Sequence, residues 1–205
     1  MKKLLLVLGL LVGGLSVANA DEESGAFIGL EAGYAGYEFK VEQGENSLKK
    51  TDGGVAFGVN AGYKYFVNSW FGVRGYANFS YLTGKISAAD FNNATVNNMV
   101  YAVNADALFN FYNNESVSFG AFVGLGVGGT TWETKEGGLK DTNSGLYADA
   151  KVGLRTNIAK HHGIELVAKI PFVGVKKNFD DGSGGSYKVT TKQNYQVVVG
   201  YNYTF

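Results

Sequence analysis

The strongest indication of the fold is the terminal segment Tyr195-Gln-Val-Val-Val-Gly-Tyr-Asn-Tyr-Thr-Phe205. Its odd-numbered residues are aromatic or β-branched, and the residues between them are mostly polar or small. Alternation with a period of two is typical of a β-strand that has one apolar and one polar face. A strand that ends on an aromatic residue is unusual in a soluble domain, where the chain end frays in water. It is typical of a strand that closes a β-barrel in a bilayer, because aromatic side chains lie at the membrane interface.

The other end of the chain predicts export. Two lysines precede an apolar stretch of nine residues, and Ala18-Asn-Ala20 is a small-x-small cleavage sequence. This pattern is typical of a secretory signal peptide and is too short for a spanning helix. We therefore expect residues 1–20 to be a cleaved signal peptide and residues 21–205 to form one outer membrane β-barrel domain, located in the bacterial outer membrane.

Composition excludes several classes of protein. Without the two lysines of the signal peptide, the 18 basic residues fall to 16 against 18 acidic residues, so the net charge is about −2. No basic stripe is present, which argues against nucleic acid as a partner. The absence of cysteine excludes disulfides, zinc–thiolate sites and cysteine nucleophiles. Thirty glycines, 13 tyrosines and 14 phenylalanines with a single proline are typical of a barrel.

The alternation recurs in eight segments, near residues 26–41, 55–65, 70–82, 98–111, 117–131, 146–158, 163–172 and 195–205. Short connectors at 66–69, 113–116 and 159–162 alternate with long polar connectors at 42–54, 83–97, 132–145 and 173–187. Outer membrane proteins have this arrangement of short periplasmic turns and long extracellular loops. The sequence therefore predicts an all-β fold, an eight-stranded antiparallel transmembrane up-and-down β-barrel with both termini periplasmic.

Two details of this barrel follow from local residues. A ten-stranded barrel, with an extra hairpin within 173–191, stays open as an alternative because even strand numbers above eight are common. Pro171 cannot donate a hydrogen bond to a ladder, so it should mark a bulge or the outer end of the seventh strand.

The predicted inner face carries the charged residues. On a lipid face each base would cost about 2–4 kcal/mol near the bilayer midplane, whereas inside the barrel the charges can pair. An eight-stranded barrel has an interior about wide enough for side chains to fill. We therefore predict a plugged polar core, with Asn194, Gln196 and Asn202 adding to its filling, and a lumen charge network that comprises Glu31, Lys64, Arg74, Asp106, Asp149, Lys151, Arg155, Glu165 and Lys169.

Two motifs receive a structural interpretation. Gly124, Gly126 and Gly129 match G-x-G-x-x-G, but no helix follows them, so we interpret them as space for side chains on a crowded inner face. His161 and His162 are adjacent, and neighbouring strand residues point to opposite faces, so they form a poor metal pair. We expect no catalytic, metal or cofactor-binding site.

Three segments carry a family resemblance. The segments Gly124-Leu-Gly-Val-Gly-Gly-Thr-Thr-Trp132, Gly153-Leu-Arg-Thr-Asn-Ile-Ala-Lys-His-His-Gly-Ile-Glu-Leu-Val-Ala-Lys-Ile-Pro-Phe172 and Gly200-Tyr-Asn-Tyr-Thr-Phe205 resemble the Helicobacter outer membrane protein family. The resemblance implies an outer membrane β-barrel, in a family where some members are adhesins and others porins. This chain would be a small member without the extracellular adhesin head.

The terminal strand also resembles the signal by which outer membrane proteins are recognised for assembly. The resemblance assigns this signal to Tyr201, Tyr203 and Phe205 and implies the outer membrane assembly machinery as a partner.

The expected function is a structural or surface-interaction role, adhesin-like, through four extracellular loops. The expected partners are outer membrane lipid and lipopolysaccharide and an extracellular ligand bound through the loops. Trp132, Leu139, Lys49 and Lys50 are exposed-loop candidates. One alternative is a small-solute porin. Another is an enzyme that modifies the acyl chains of lipid A, although both histidines fall at a periplasmic turn and we therefore expect no enzyme.

Overall fold

The structure, a computed structural model, describes residues 24–43, 46–88, 91–114, 116–136, 139–180 and 186–205. The expected signal peptide lies outside the described residues, so it stays a prediction. Among the described residues no helix is long and apolar enough to cross a membrane.

Nearly all of the described chain is β-strand. The strands are β1 (Gly25–Gln43), β2 (Asn46–Phe66), β3 (Phe71–Ala88), β4 (Phe91–Asn113), β5 (Val117–Glu136), β6 (Leu139–Ile158), β7 (His162–Pro171), β8 (Val175–Asp180) and β9 (Ser186–Thr204). Sequence neighbours pair antiparallel from β1 to β7, β7 pairs with β9, and β9 pairs with β1. These eight strands close a ring, which confirms the predicted fold.

The remaining strand, β8, continues β7 along the same edge of β9, because β1 occupies the other edge of β9. It pairs with the outer part of β9, from Val175↔Thr191 to Asp180↔Ser186. The hairpin considered for a ten-stranded barrel therefore exists, but it adds no strand to the ring. Strand β7 ends at Pro171, as its missing donor predicts, and the next backbone N–H, of Phe172, donates to the Ala148 carbonyl at 3.1 Å.

The short turns lie at one rim of the barrel, together with the start of the first strand and the end of the last strand. Gly25 of β1 and Thr204 of β9 lie at this rim, with the turns β2–β3, β4–β5 and β6–β7. Ala159 and Lys160, two of the three residues between the paired Ile158 and His162, have left-handed φ values of 50° and 67°, which a tight turn tolerates. Since short turns of outer membrane barrels are periplasmic, this is the periplasmic rim.

At the opposite, outer rim the prediction of long loops is wrong. The ladder between β1 and β2 continues to Gln43↔Asn46, and that between β5 and β6 continues to Glu136↔Leu139. Most of the connectors predicted at 42–54, 83–97 and 132–145 are therefore paired strand. A hairpin ladder satisfies backbone groups whatever its side chains are, so strands continue where the apolar alternation fades.

A register shift in the last ladder corrects one lumen prediction. Gly36 pairs with Tyr195 and Tyr37 pairs with Gln193, which leaves Asn194 between them without a ladder partner. The Asn194 amide donates to Glu38 Oε2 at 3.2 Å on the outer face. Asn194 therefore does not fill the lumen, and the buried residue at that level is Gln193.

Candidate functional site

The centre of the lumen is Arg74 on β3. Its Nε and Nη2 atoms donate to Asp106 Oδ2 on β4 at 3.1 and 2.7 Å, and its Nη1 donates to Glu165 Oε1 on β7 at 2.6 Å. The guanidinium carbon lies 4.9 Å from the centre of the Phe122 ring. Because β3 and β7 lie on opposite sides of the ring, Arg74 joins opposite walls of the barrel. Hydrogen bonds between ionised groups, such as these, are stronger than those between neutral groups.

Glycines on the neighbouring strand provide the space for these carboxylates. A Cβ atom at Gly124 would lie 1.9 Å from Asp106 Oδ1, and one at Gly126 would lie 2.3 Å from Asp149 Oδ1. The interpretation of these two glycines as room for lumen side chains is confirmed. Gly129 is different, since its Cβ would meet the ring of outward-facing Tyr101.

Two further lysines form ion pairs and hydrogen bonds in the next layer of the lumen. Lys169 Nζ lies 2.5 Å from Glu31 Oε1, which also accepts a hydrogen bond from the Asn78 amide at 3.3 Å. On the other side Lys151 donates to Asn104 and lies 3.5 Å from Asp149 Oδ1.

All nine residues of the expected charge network are buried, but they do not form one cluster. Arg155 lies 4.0 Å from Glu165 and donates to Asn110 at 2.8 Å, so it is close to the Arg74 group. Asp149 instead lies with Lys151 and Tyr147, whose hydroxyl donates to Asp149 at 3.1 Å. The Lys64 ammonium lies 5.9 Å from the Phe66 ring centre.

Little space remains between these side chains. Two cavities of about 10 Å³ each lie within the network, one beside Arg74, Glu165 and Lys169 and the other beside Lys64 and Arg155. A cavity of this size holds about one water molecule. The ion pairs therefore fill the barrel at this level.

A layer of uncharged polar side chains lies above the ion pairs. Thr130 donates to Asn98 at 2.6 Å, Asn98 donates to Gln193 at 3.4 Å, and Gln193 donates to Gln196 at 2.9 Å. This chain of hydrogen bonds joins β5 and β4 to β9 across the lumen. Sequence reasoning missed Asn98, Thr130 and Gln193, although the parity of β4 and β5 places the first two on the inner face.

The outermost layer of the lumen is apolar. We call it the outer cluster, and its buried members are Ala35, Tyr37, Ala56, Leu82, Val96, Trp132 and Val175. The Trp132 ring lies 6.1 Å from that of Tyr37 and 6.2 Å from that of Phe39, both in edge-to-face geometry. The outer cluster therefore closes the barrel a second time, above the ion pairs.

The exposed-loop prediction is wrong for Trp132, of which only 4% is exposed. The alternation of β5 continues beyond its predicted end at Thr131, so Trp132 points inward like Phe122 and Thr130. Lys49 and Lys50 are exposed, but on strand β2 and not on a loop. The side chain of Leu139 lies outside what the structure describes.

The two histidines lie against the last strand at the periplasmic rim. His162 Nδ1 lies 2.7 Å from the Tyr201 hydroxyl, and His161 Nδ1 lies 2.8 Å from the Thr204 carbonyl. Both imidazole rings contact Tyr203, whose ring also packs on Phe205 at 5.2 Å. Within the described ranges no group of three or more His, Cys, Asp or Glu side chains could hold a metal ion.

The model of the Helicobacter outer membrane protein family matches residues 58–205, more than half of the chain. The chain belongs to the Helicobacter outer membrane protein family. No curated protein matches it.

Several solved structures are similar to this family member. The outer membrane protein OprG from Pseudomonas aeruginosa has 13% identity and a TM-score of 0.57, over 91% of this chain and 99% of OprG. A major outer membrane protein from Thermus thermophilus has 12% identity and a TM-score of 0.52, over 88% and 99%. Ail from Yersinia pestis has 20% identity and a TM-score of 0.41, over 88% and 99%. The first two likenesses support the barrel fold alone.

Proposed function

We propose that this chain is an outer membrane barrel with a closed lumen and a structural or surface-interaction role, adhesin-like, through the outer ends of its hairpins. The observation that carries the proposal is the bridge from Arg74 to Asp106 and Glu165, which joins opposite walls at 2.6–2.7 Å. The same bridge argues against the porin alternative, because a porin needs a continuous water path.

Opening this lumen would be costly. Separating Arg74 from its two carboxylates would leave buried charges uncompensated, which costs about 3–5 kcal/mol when one partner of a buried pair is removed. A solute would also have to displace the outer cluster, where Tyr37 is fully buried. Two layers of different chemistry therefore oppose conduction.

The surface-interaction role rests on the length of the hairpins. Strands β2 and β4 contain 21 and 23 residues, about twice the 9–11 residues that cross the hydrocarbon core. Their surplus lies at the outer rim and encloses the outer cluster. Because this outer part has its own apolar core, it presents an ordered surface to the medium.

The enzyme alternative has no support from the two histidines of the chain. An enzyme that modifies lipid A acyl chains requires a catalytic base near that leaflet, and both histidines lie at the periplasmic rim in contact with Tyr201 and Thr204. The charged residues of the lumen have partners that favour a structural role.

Planar-bilayer recording with the full chain tests the closed lumen. We expect no steady single-channel conductance, and the double variant Arg74→Ala, Trp132→Ala, which removes the central cation of one layer and the central ring of the other, serves as a control with weakened closure. A large, stable conductance of the unchanged protein would contradict the proposal.

A labelling experiment on intact cells tests the surface role. The chain contains no cysteine, so Ser47→Cys on the β1–β2 hairpin and Val67→Cys at a short turn each introduce a unique thiol. A membrane-impermeant maleimide should label Ser47→Cys and leave Val67→Cys unlabelled. The reverse pattern would place the hairpins in the periplasm and remove the basis for a surface role.

A further inference from the structure

The outward face of four strands at the outer rim is strongly basic. Strands β8, β9, β1 and β2 are neighbours there, and their outward-facing side chains include five lysines and two glutamates. We call this surface the basic face, and it comprises Lys40, Lys49, Lys176, Lys188, Lys192, Glu38 and Glu42. The described side chains of this face have a formal charge of +3.

The ladder register brings like charges together on this face. Lys40 of β1 stands directly opposite Lys49 of β2, an arrangement that is destabilising for like charges. Each of these lysines contacts a glutamate, Lys40 with Glu42 at 2.6 Å and Lys49 with Glu38 at 2.8 Å. The two carboxylates therefore compensate only part of the charge of the five ammonium groups on this face.

The other three lysines surround the same two carboxylates. Lys192 pairs with Glu38 in the β1–β9 ladder and Lys188 pairs with Glu42. The hydrogen bond and charge of Lys40, followed by the charges of Lys188 and Lys176, lower the pKa of the Glu42 carboxyl. Each of the five lysines therefore lies within electrostatic reach of one of the two glutamates, and among the described side chains of this face three positive charges stay in excess.

The height of the basic face points to its neighbours in the membrane. Tyr34 and Tyr195 are half-exposed at the top of the lipid-facing band, and tyrosines of that kind mark the membrane interface. Lys192 lies three residues beyond Tyr195, and Glu38 lies four residues beyond Tyr34. The face therefore lies beside the headgroups of the outer leaflet and points sideways toward them.

We propose that the basic face binds phosphate groups of the glycolipid that forms the outer leaflet, lipopolysaccharide, through its lipid A headgroup. Lysine ammonium groups bind phosphate as point charges, and clustered lysines beside a membrane bind anionic headgroups. A phosphate would also offset the repulsion between Lys40 and Lys49. This inference goes beyond the closed lumen and does not depend on it.

The test is a lipid A titration of the full, detergent-refolded chain, followed by native mass spectrometry. The test variant is Lys176→Gln, Lys188→Gln, Lys192→Gln. The matched control, Lys85→Gln, Lys135→Gln, Lys140→Gln, removes the same charge from outward positions elsewhere on the outer rim. We expect bisphosphorylated lipid A to bind the test variant on the order of tenfold more weakly than the unchanged chain, while the control binds within about twofold.

Dephosphorylated lipid A and a soluble sulfated polysaccharide are the two comparison ligands. We expect the first to bind the unchanged chain as weakly as lipid A binds the test variant, and the second to bind more weakly than lipid A. Equal binding by the test variant, equal loss in the control, equal binding of dephosphorylated lipid A or preference for the polysaccharide would each overturn the proposal. The gel shift between unboiled and boiled samples verifies that all three proteins are folded.

Discussion

The membrane-spanning half and the outer half of this barrel have opposite arrangements of polarity. In the spanning half the interior holds ion pairs such as Arg74–Asp106, and the exterior presents apolar side chains such as Leu30. In the outer half the interior holds the outer cluster, and the exterior holds lysines. Strand β1 contributes to both halves without interruption, so its backbone does not mark the boundary between them.

This contrast shows how the sequence of a strand specifies the edge of the membrane. Where lipid surrounds the barrel, charged side chains must point inward because a base on the lipid face costs about 2–4 kcal/mol near the midplane. Where water surrounds it, burial of apolar side chains stabilises the interior as in a soluble protein. The boundary is therefore the position at which polar residues change from the inner to the outer face, between Glu31 and Glu38 on β1.

The largest effect is expected from breaking the ion-pair interior. Arg74→Met removes the cation that bridges the buried carboxylates of Asp106 and Glu165, and we expect the free energy of unfolding to fall by about 3–5 kcal/mol. Urea titration of the refolded protein in detergent measures this change. The control is the triple variant Arg74→Met, Asp106→Asn, Glu165→Gln, which should recover most of the loss. A loss below about 1 kcal/mol for Arg74→Met would mean that these charges are solvated.

The apolar interior of the outer half should respond more locally. Trp132→Ala removes the central ring of the outer cluster, and we expect a loss of about 3 kcal/mol, since large-to-small changes of buried aromatic residues cost about 3–5 kcal/mol. Limited proteolysis should show cleavage in the outer hairpins while the spanning half stays resistant.

Trp70→Ala is the matched control for this change. Trp70 lies at a short turn and is 57% exposed, so its replacement should change stability by no more than about 0.5 kcal/mol. Equal effects of the two tryptophan variants would show that the outer half has no apolar core.

The smallest effect concerns a charged group on the exterior of the outer half. Hydrogen bonds from Lys135 and Lys140 lower the pKa of Glu133 from 4.5 to about 2. Because the pKa is depressed in the folded state, the stabilising contribution is present above pH 4.5 and is lost as the pH falls through about 2.

Side-chain NMR titration of Glu133 measures this prediction. We expect a midpoint near pH 2, and the Glu133→Gln variant identifies the resonance by its absence. In Lys135→Gln, Lys140→Gln the midpoint should rise toward the ordinary value. A midpoint near 4.5 in the unchanged chain would show that the two lysines do not contact this carboxylate in solution.

The sequence predicted the ring and the two faces of its strands because alternation with a period of two persists through each spanning segment. It therefore indicated which charged residues lie on the inner face, and the structure buries all nine of them. Alternation specifies the direction of a side chain but not its partner. For this reason it did not reveal that Asp149 lies with Lys151 and not with Arg74.

Two errors have definite physical causes. Trp132 was expected on an exposed loop because the stretch from 132 to 145 is polar, yet the parity of β5 continues through it and places Trp132 inside. Asn194 was expected inside because its parity was counted along an unbroken strand. The register shift beside Tyr37 reverses that parity, and a pattern in one strand contains no information about the register of its neighbour.

The most direct test of the reversed polarity uses the only two tryptophans of the chain. In Trp70→Phe, fluorescence reports on Trp132 alone. Inside the outer cluster Trp132 is shielded from both water and lipid, so neither aqueous iodide nor lipids with brominated acyl chains should quench it appreciably. Strong quenching by iodide would place Trp132 on an exposed loop, and strong quenching by brominated lipid would place it on the membrane face. Either result would contradict an apolar core above the ion pairs.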